Sequence, residues 1–154
     1  METRGEAWRP SATVEVLRQR SLILRHLRAF FQANGYWEVE TPLLSRDTCV
    51  DASIDPIAVN ADVTMFLQTS PEFALKRLLC AGGDAVFEIT RSFRRGESGR
   101  LHNPEFAIVE WYRIGATYHE QMEFVERMLR SLVAGVGDGR APRCGEYQRI
   151  TYDE

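Results

Sequence analysis

Residues 93–106 read FRRGESGRLHNPEF, and this stretch is the most informative part of the chain. Residues 91–100 contain four arginines, although the 154-residue chain has a formal net charge of -3. Gly96 and Gly99 let the loop backbone approach a ligand closely, and planar guanidinium groups can bind phosphate oxygens through two hydrogen bonds. The stretch predicts a hairpin loop that grips a nucleotide triphosphate. An arginine-rich surface turn is the simpler alternative.

Two long β-type runs, residues 85–95 and 105–114, flank this loop. Successive side chains of a strand point to opposite sides, so one face of the hairpin is predicted to be packed and the other polar. The polar face carries two aromatic rings and two carboxylates, which favours a ligand floor over a solvated surface. The residues predicted for the packed face are Phe87, Ile89, Phe93, Ala107, Val109 and Trp111, and Arg91 and Arg95 lie on the same side of their strand. The residues predicted for the polar face are Glu88, Thr90, Ser92, Arg94, Phe106, Ile108, Glu110 and Tyr112.

The segments outside the hairpin predict three helices and several short strands. Apolar side chains at helical spacing indicate a helix over residues 13–34, and strands are predicted at residues 36–42, 57–59 and 65–68, with a loop over residues 43–55. In TSPEFALKRLLCAGG, residues 69–83, Ser70 is the predicted N-cap, Pro71 the first helical residue and Glu72 a first-turn acid. Thr117 and Glu120 form a capping box before a helix with the stripe Met122, Val125, Met128, Leu129 and Leu132, and a loop is predicted from Gly135 onward.

The composition is typical of a soluble globular protein and argues against a membrane-spanning one. The chain is 44% hydrophobic and 27% charged, and it has no apolar run of the roughly 20 residues that cross a bilayer. Its three cysteines, Cys49, Cys80 and Cys144, match no zinc or disulfide pattern, which favours a reducing cytoplasm. The acidic balance argues against a broad nucleic-acid surface.

The motifs resemble those of class II aminoacyl-tRNA synthetases. FRRGESGRLHNPEF with AIVEWY resembles motif 2, in the HNPEF form of the lysine-type branch, and VETPLL resembles the end of motif 1. TSPEFALKRLL is similar to the segment that precedes motif 2 in that branch. The resemblance implies an α+β fold with an antiparallel sheet flanked by helices. It implies that residues 1–154 form the N-terminal part of a catalytic domain, with motif 1 at about residues 17–44 and motif 2 at about residues 86–113.

Within this class the chain is most similar to the elongation factor P lysine ligase family. The opening WRPSATVEVLRQRS and the phrase GRLHNPEFAIVEWYR carry this likeness, and no anticodon-binding domain is expected before the motif 1 helix. The resemblance to this family implies a homodimer in the cytoplasm. It also implies that the protein activates lysine, as (R)-β-lysine, with ATP and Mg²⁺. Elongation factor P would be the acceptor, and tRNA and membranes would not be partners. A tRNA-charging lysine ligase and a non-catalytic synthetase-like binding module remain the alternatives.

The resemblance also implies site residues. Arg94 would be the catalytic residue, against the α-phosphate and the acyl oxygen, and Phe106 would lie against adenine. A carboxylate such as Glu72 or Glu110 would suit an ammonium group. The ATP-binding set is Arg94, Arg95, Gly96, Glu97, Arg100, His102, Asn103 and Phe106, the substrate-binding set is Ser70, Pro71, Glu72 and Tyr112, and no metal ligand is assigned.

Two features depart from the family pattern. Motif 2 has Phe-Arg-x-Glu, but Gly96 stands at the glutamate position, and Glu97 is the predicted substitute. Motif 3 is not found, because GVGDGR at residues 135–140 follows motif 2 too closely and precedes no apolar helix. The fold is therefore expected to be incomplete, with the Mg²⁺ ligands in a missing C-terminal half. The 154-residue chain is expected to be inactive alone.

Overall fold

The computed structural model describes residues 9–60, 62–136, 145 and 147–150. The chain divides into two compact units, one of Met1–Phe30 with Thr117–Glu154 and the other of Phe31–Ala116. The helices are α1 (Val14–Ala33), α2 (Glu72–Cys80) and α3 (Tyr118–Val136), and the strands are β1 (Trp37–Glu38), β2 (Leu44–Ser45), β3 (Ile57–Asn60), β4 (Thr64–Leu67), β5 (Ala85–Phe93) and β6 (Glu105–Arg113). The predicted mixture of helices with antiparallel strands is confirmed.

The main sheet of the second unit has the strand order β1-β5-β6. Strands β5 and β6 form the predicted antiparallel hairpin, in which Ser92 lies opposite Phe106 and Glu88 lies opposite Glu110. Directly opposed residues share a face of the sheet, so the predicted polar face is confirmed. The middle of this face is shielded from solvent, since Glu88 and Ser92 are only 3% and 0% exposed.

The short strand β1 secures the carboxylate of Glu88. It pairs in parallel with β5 over Trp37 and Glu38 only, so the strand predicted over residues 36–42 is shorter than expected. The chain beyond it still follows β5, because Val39 N–H donates to the Phe87 carbonyl at 3.0 Å. Thr41 then donates to the Glu88 carboxylate through its backbone N–H at 3.0 Å and its hydroxyl at 2.8 Å.

A second sheet has the order β2-β4-β3 and lies in the same unit. The predicted strands at residues 57–59 and 65–68 are confirmed as β3 and β4. The loop predicted over residues 43–55 is wrong in part, because Leu44 and Ser45 pair with Leu67 and Phe66. Two residues are too few to show alternation in a sequence, and only the neighbouring strand supplies their partners.

Helix α2 begins one residue later than predicted. Its N-cap position is occupied by Pro71, which has no side-chain hydrogen bond to offer. Ser70 lies one position further back, where its Oγ accepts the Glu72 N–H at 3.1 Å. The hydroxyl of Ser70 is therefore held beside the first turn of the helix and remains able to donate its own proton elsewhere.

Phe31, at the end of α1, is the centre of the core of this unit. It is fully buried and stacks on Phe87 with ring centroids 4.5 Å apart and an interplanar angle of 8°. Trp111 and Tyr36 approach the same ring at 5.3 and 5.4 Å. Because Phe87 and Trp111 are opposed on β5 and β6, these aromatics cover the face of the hairpin opposite the polar one.

The first unit contains residues of α1 up to Phe30 together with α3. The capping box is confirmed, since Thr117 N–H donates to Glu120 Oε2 at 2.7 Å and Glu120 N–H donates to Thr117 Oγ1 at 3.3 Å. Phe124, which the predicted stripe omits, is 3% exposed, and its ring lies 5.1 Å from that of Phe30.

Gly135 lies inside α3 rather than in the predicted loop. A Cβ atom at this position would lie 2.5 Å from the His26 ring, so the close approach of the ring explains a glycine within a helix. The rest of GVGDGR, from residue 137 to residue 140, lies outside the described residues. In the part of the chain that the structure describes, no helix is long and apolar enough to cross a membrane.

Candidate functional site

Five side chains form a polar cluster where α2 meets β6, and we call Ser70, Glu72, Lys76, Glu110 and Tyr112 the carboxylate cluster. Its centre is the Glu110 carboxylate. Ser70 Oγ donates to Glu110 Oε2 at 2.7 Å, and the Tyr112 hydroxyl donates to Glu110 Oε1 at 2.8 Å. Charged acceptors make strong hydrogen bonds of this kind, so the position of Glu110 is fixed by two neutral donors.

The electrostatics of the carboxylate cluster keep its donors protonated. Burial, followed by the hydrogen bond to Glu110, raises the pKa of Tyr112 far above its usual value, and the phenol therefore stays a donor throughout the neutral range. Cys49 lies beside the cluster, with its Sγ 3.4 Å from the Ser70 carbonyl. Burial, and then the charges of Glu72 and Glu110, raise the pKa of this thiol, which argues against a thiolate nucleophile.

Lys76 supplies the one positive charge among the five members of the carboxylate cluster. Its Nζ donates to Glu72 Oε1 at 2.6 Å and lies 5.5 Å from the centre of the Tyr112 ring. An ammonium within about 6 Å of an aromatic face is attracted by the ring quadrupole. A carboxylate and an aromatic ring together therefore already surround an ammonium group at this point.

The other end of the polar face holds Arg94, Glu97 and Phe106, which we call the arginine end. The Arg94 guanidinium lies 4.9 Å from the centre of the Phe106 ring. Its Nε donates to the Thr69 carbonyl at 3.4 Å, and its NH1 lies 3.6 Å from Glu97 Oε1. The predicted partners Arg94 and Phe106 are thus brought together, at the mouth of the hairpin.

The structure does not bring all the predicted nucleotide-binding residues to that point. Arg95 turns to Asp55, with its NH2 3.1 Å from Asp55 Oδ2. Arg100, His102 and Asn103 are exposed in the loop, where His102 is tied to Gly99 by an isolated bridge.

Gly96 explains the departure from the motif 2 pattern. Its φ is +80°, in the left-handed region that side chains with a Cβ rarely adopt. A glutamate at this position would therefore be strained in this loop. Glu97, the next residue, is the carboxylate that reaches Arg94.

A cavity of about 430 Å³ lies between α2 and the loop that contains Cys49, and Ser70 lines it. Gln68 also lines this cavity, and its side chain is only 6% exposed. Its Nε2 has no hydrogen-bond partner among the described residues. Because buried donors are almost always satisfied, this amide is available to a polar ligand or a water molecule.

A family model described as "tRNA synthetases class II (D, K and N)" matches residues 2–154. The chain belongs to this class II synthetase family. The known proteins to which it is similar include several named elongation factor P--(R)-beta-lysine ligase. The one from Vibrio vulnificus (strain YJ016) is 35% identical over 96% of this chain and 45% of its own length. That from Vibrio cholerae serotype O1 is 37% identical with the same coverage. That from Pectobacterium carotovorum subsp. carotovorum (strain PC1) is 42% identical over 82% of this chain and 41% of its own length.

Membership of the class II family rests on the whole matched range and not on one motif. The chain spans about half the length of the relatives it matches, since it covers 45% of the Vibrio proteins. Among the residues that the structure describes, no group of three or more His, Cys, Asp or Glu side chains could hold a metal ion.

Sequence reasoning did not find Lys76 or Cys49, and it names Glu110 as a possible ammonium partner without including it in the predicted substrate-binding set. Alternation places Glu110 between Phe106 and Tyr112 on one face. Lys76 stands four residues after Glu72 on α2, a spacing that brings two helical side chains together. Cys49 had no signal of its own, since only the folded loop brings it to Ser70.

Proposed function

We propose that the protein activates lysine, as (R)-β-lysine, with ATP and transfers it to a lysine side chain of elongation factor P. One observation carries the proposal. A single face of the β5–β6 hairpin has a site suited to an ammonium group, around Glu110 and Tyr112, and a site suited to a nucleotide, at Arg94 and Phe106. A ligase that joins an amino acid to AMP requires these two sites side by side. The names of the relatives, elongation factor P--(R)-beta-lysine ligases, support the choice of substrates.

The carboxylate cluster is the proposed amino-acid site. Ser70, Glu72 and Tyr112 hold the substrate in this proposal, and Glu110 adds the charge that the two hydroxyls orient. Pro71 is fully buried and sets the direction of the chain between Ser70 and Glu72. Two carboxylates against one internal ammonium leave the cluster with a formal charge of -1, which favours a cationic ligand.

The arginine end is the proposed nucleotide site. Arg94 neutralises the α-phosphate and the acyl oxygen, and Phe106 offers a flat partner for adenine. Glu97 takes the role of the glutamate that the family pattern has at the position of Gly96. The remaining members of the proposed ATP set are the loop residues Arg95, Gly96, Arg100, His102 and Asn103. Because most of them are exposed, their part is to close over a bound nucleotide.

The proposed chemistry has two steps. First, a carboxylate oxygen of the amino acid attacks the α-phosphorus of ATP, and pyrophosphate leaves, so that an acyl-adenylate forms. The amine of the acceptor lysine then attacks the acyl carbon, loses a proton, and AMP leaves. Catalysis rests on positioning and on the neutralisation of developing charge by Arg94. Mg²⁺ would neutralise the phosphates, and we propose that its ligands and the motif 3 part of the ATP site come from outside the described residues.

A homodimer is proposed from the surface of α1. Four apolar side chains of this helix are 39–64% exposed: Val14, Val16, Leu17 and Ile23. Apolar side chains that a helix leaves exposed are a candidate interface between subunits. The cytoplasm is the proposed location, because the proposed acceptor, elongation factor P, acts in translation.

Lysine-dependent exchange of pyrophosphate into ATP by the full-length protein tests the proposal. Exchange with L-lysine or (R)-β-lysine, followed by labelling of elongation factor P but not of tRNA, is the expected result. Charging of tRNA instead would replace the acceptor, and tight lysine binding without exchange would indicate a binding module. We also expect the 154-residue chain to show no exchange alone.

A further inference from the structure

We propose that Lys76 is a tethered competitor of the substrate amine, and that its ammonium group occupies the amino-acid site until the substrate displaces it. This inference rests on the proposed function, because it takes the carboxylate cluster to be the amino-acid site. In this proposal Lys76 lowers the affinity for the substrate, because the substrate ammonium must replace the Lys76 ammonium at Glu72.

The contacts of Lys76 are those expected of a bound amine. Its Nζ is 2.6 Å from Glu72 Oε1 and 5.5 Å from the centre of the Tyr112 ring. Glu72 and Tyr112 are two of the residues assigned to the amino-acid substrate. A lysine ammonium and a substrate ammonium have the same size and the same three donors. Both cannot take the same position between this carboxylate and this ring.

Part of the hydrogen-bonding capacity of the carboxylate cluster is already used within it. The two oxygens of Glu110 already accept hydrogen bonds from Ser70 and Tyr112. The Ser70 hydroxyl in turn accepts the N–H of Glu72. The bond between Lys76 and Glu72 is therefore the contact that a cationic ligand can exchange without breaking the network around Glu110.

Lys76 can leave the site at little cost. Its side chain is 52% exposed and that of Glu72 is 38% exposed, so the ammonium can swing into water without opening the core. An exposed ion pair of this kind contributes little to stability. Lysine at its ordinary pKa of 10.5 is already charged at neutral pH, and the hydrogen bond to Glu72 raises the pKa of Lys76 further. The exchange of one ammonium for another then leaves the charge of the cluster unchanged.

The test compares substrate binding by the full-length protein and its Lys76→Met variant, using L-lysine and (R)-β-lysine as probes. Isothermal titration calorimetry gives the Kd, and pyrophosphate exchange gives the KM and kcat. We expect Kd and KM to fall about two- to fivefold in the variant, the factor that an exposed ion pair carries, with a smaller change in kcat than in KM. Lys76→Arg should bind no more tightly than the wild type, because it keeps the competing charge.

Arg91→Met is the matched control, because it removes a cation from the exposed pair with Glu105 on the opposite face of the hairpin. It should leave Kd unchanged. In the Lys76→Met variant, methionine is a good helix former and should keep α2 intact. Circular dichroism would check the fold of each variant, and Lys76→Gln serves as a second neutral variant at this position. An equal or higher Kd in both neutral variants would overturn the role of Lys76 alone. If the wild type and the variants all fail to bind either amino acid, the proposed function is wrong, and the inference about Lys76 falls with it.

Discussion

The two ends of one hairpin face are built differently. In the carboxylate cluster, Glu110 is held by hydrogen bonds of 2.7 Å from Ser70, just before α2, and 2.8 Å from Tyr112 on β6. At the arginine end, Arg94 has contacts of 3.4 and 3.6 Å, and much of the adjoining loop is exposed. If the two ends have the roles proposed above, the amino-acid end is formed before any ligand arrives, whereas the nucleotide end depends on the phosphates to draw its arginines together.

The largest expected effect is at the arginine end. Arg94→Ala in the full-length protein should lower kcat for lysine-dependent pyrophosphate exchange by about 10²–10³, the usual cost of removing one group that stabilises developing charge. Arg91→Ala, which removes an exposed arginine from the opposite face, should change kcat less than twofold. Equal losses of kcat in the two variants would mean that any arginine of the hairpin contributes through its charge alone. The proposed difference between the arginine end and the carboxylate cluster would then be wrong.

At the other end, Glu110→Gln tests the preformed network. The Ser70 and Tyr112 hydroxyls both donate to this side chain, and an amide nitrogen cannot accept either bond. We expect the KM for the amino acid to rise about 10- to 100-fold, as hydrogen bonds to charged groups imply, with a smaller change in kcat. A variant with normal KM and low kcat would instead place Glu110 in the nucleotide half.

Thr41→Val tests the support beneath the carboxylate cluster. Thr41 donates its hydroxyl to the buried carboxylate of Glu88 at 2.8 Å, and Glu88 lies opposite Glu110 in the sheet. Loss of this bond should lower the free energy of unfolding by about 1–3 kcal/mol, measured by urea denaturation. Thr64→Val, at an exposed position of β4, is the control and should change it by less than about 0.5 kcal/mol.

The smallest effect is expected at Glu120, whose carboxylate is held in a similar way but in full solvent. Hydrogen bonds from the Thr117 N–H and hydroxyl lower the pKa of Glu120 below its ordinary value of 4.5. A depressed pKa in the folded state stabilises the protein above the ordinary value, and this stability is lost as the pH falls through the lowered pKa. Thermal unfolding should therefore separate wild type from Glu120→Gln at pH 7 and not at pH 2. A difference that persists at pH 2 would mean that the charge of Glu120 is not its cause.

Much of the fold could be predicted from local patterns. Alternation was enough to assign the faces of β5 and β6, because their nine residues each repeat the pattern several times. The capping box at Thr117 could be predicted for the same reason, since all its atoms lie within four residues. In contrast, the existence of β2 and the short length of β1 depend on pairing with strands that are distant in the sequence. No local pattern in the sequence predicts either feature.

The candidate site divides along the same line. Arg94 and Phe106 could be paired because Arg94 follows β5 directly and Phe106 lies at the start of β6, on either side of one hairpin loop. The partnership of Ser70 with Glu110 spans 40 residues, and only the folded chain reveals it. The turn of Arg95 toward Asp55 also depends on a distant loop, which is why two neighbouring arginines that look equivalent in sequence have different surroundings.

The parallel pairing of β1 with β5 has a consequence for the order of folding. Thr41 and Glu88 are 47 residues apart, whereas β5 and β6 are joined by one short loop. The entropy lost on closing a loop grows with its length, so we expect the hairpin to form first and β1 to dock on it later. In pulsed hydrogen exchange during refolding, the Val39 amide should become protected after the amides shared by β5 and β6. Simultaneous protection would show that the sheet forms in one step. In the expected order, the Glu88 carboxylate stays hydrated until β1 docks, and the polar face proposed to meet the ligand is in place before the strand that supports it.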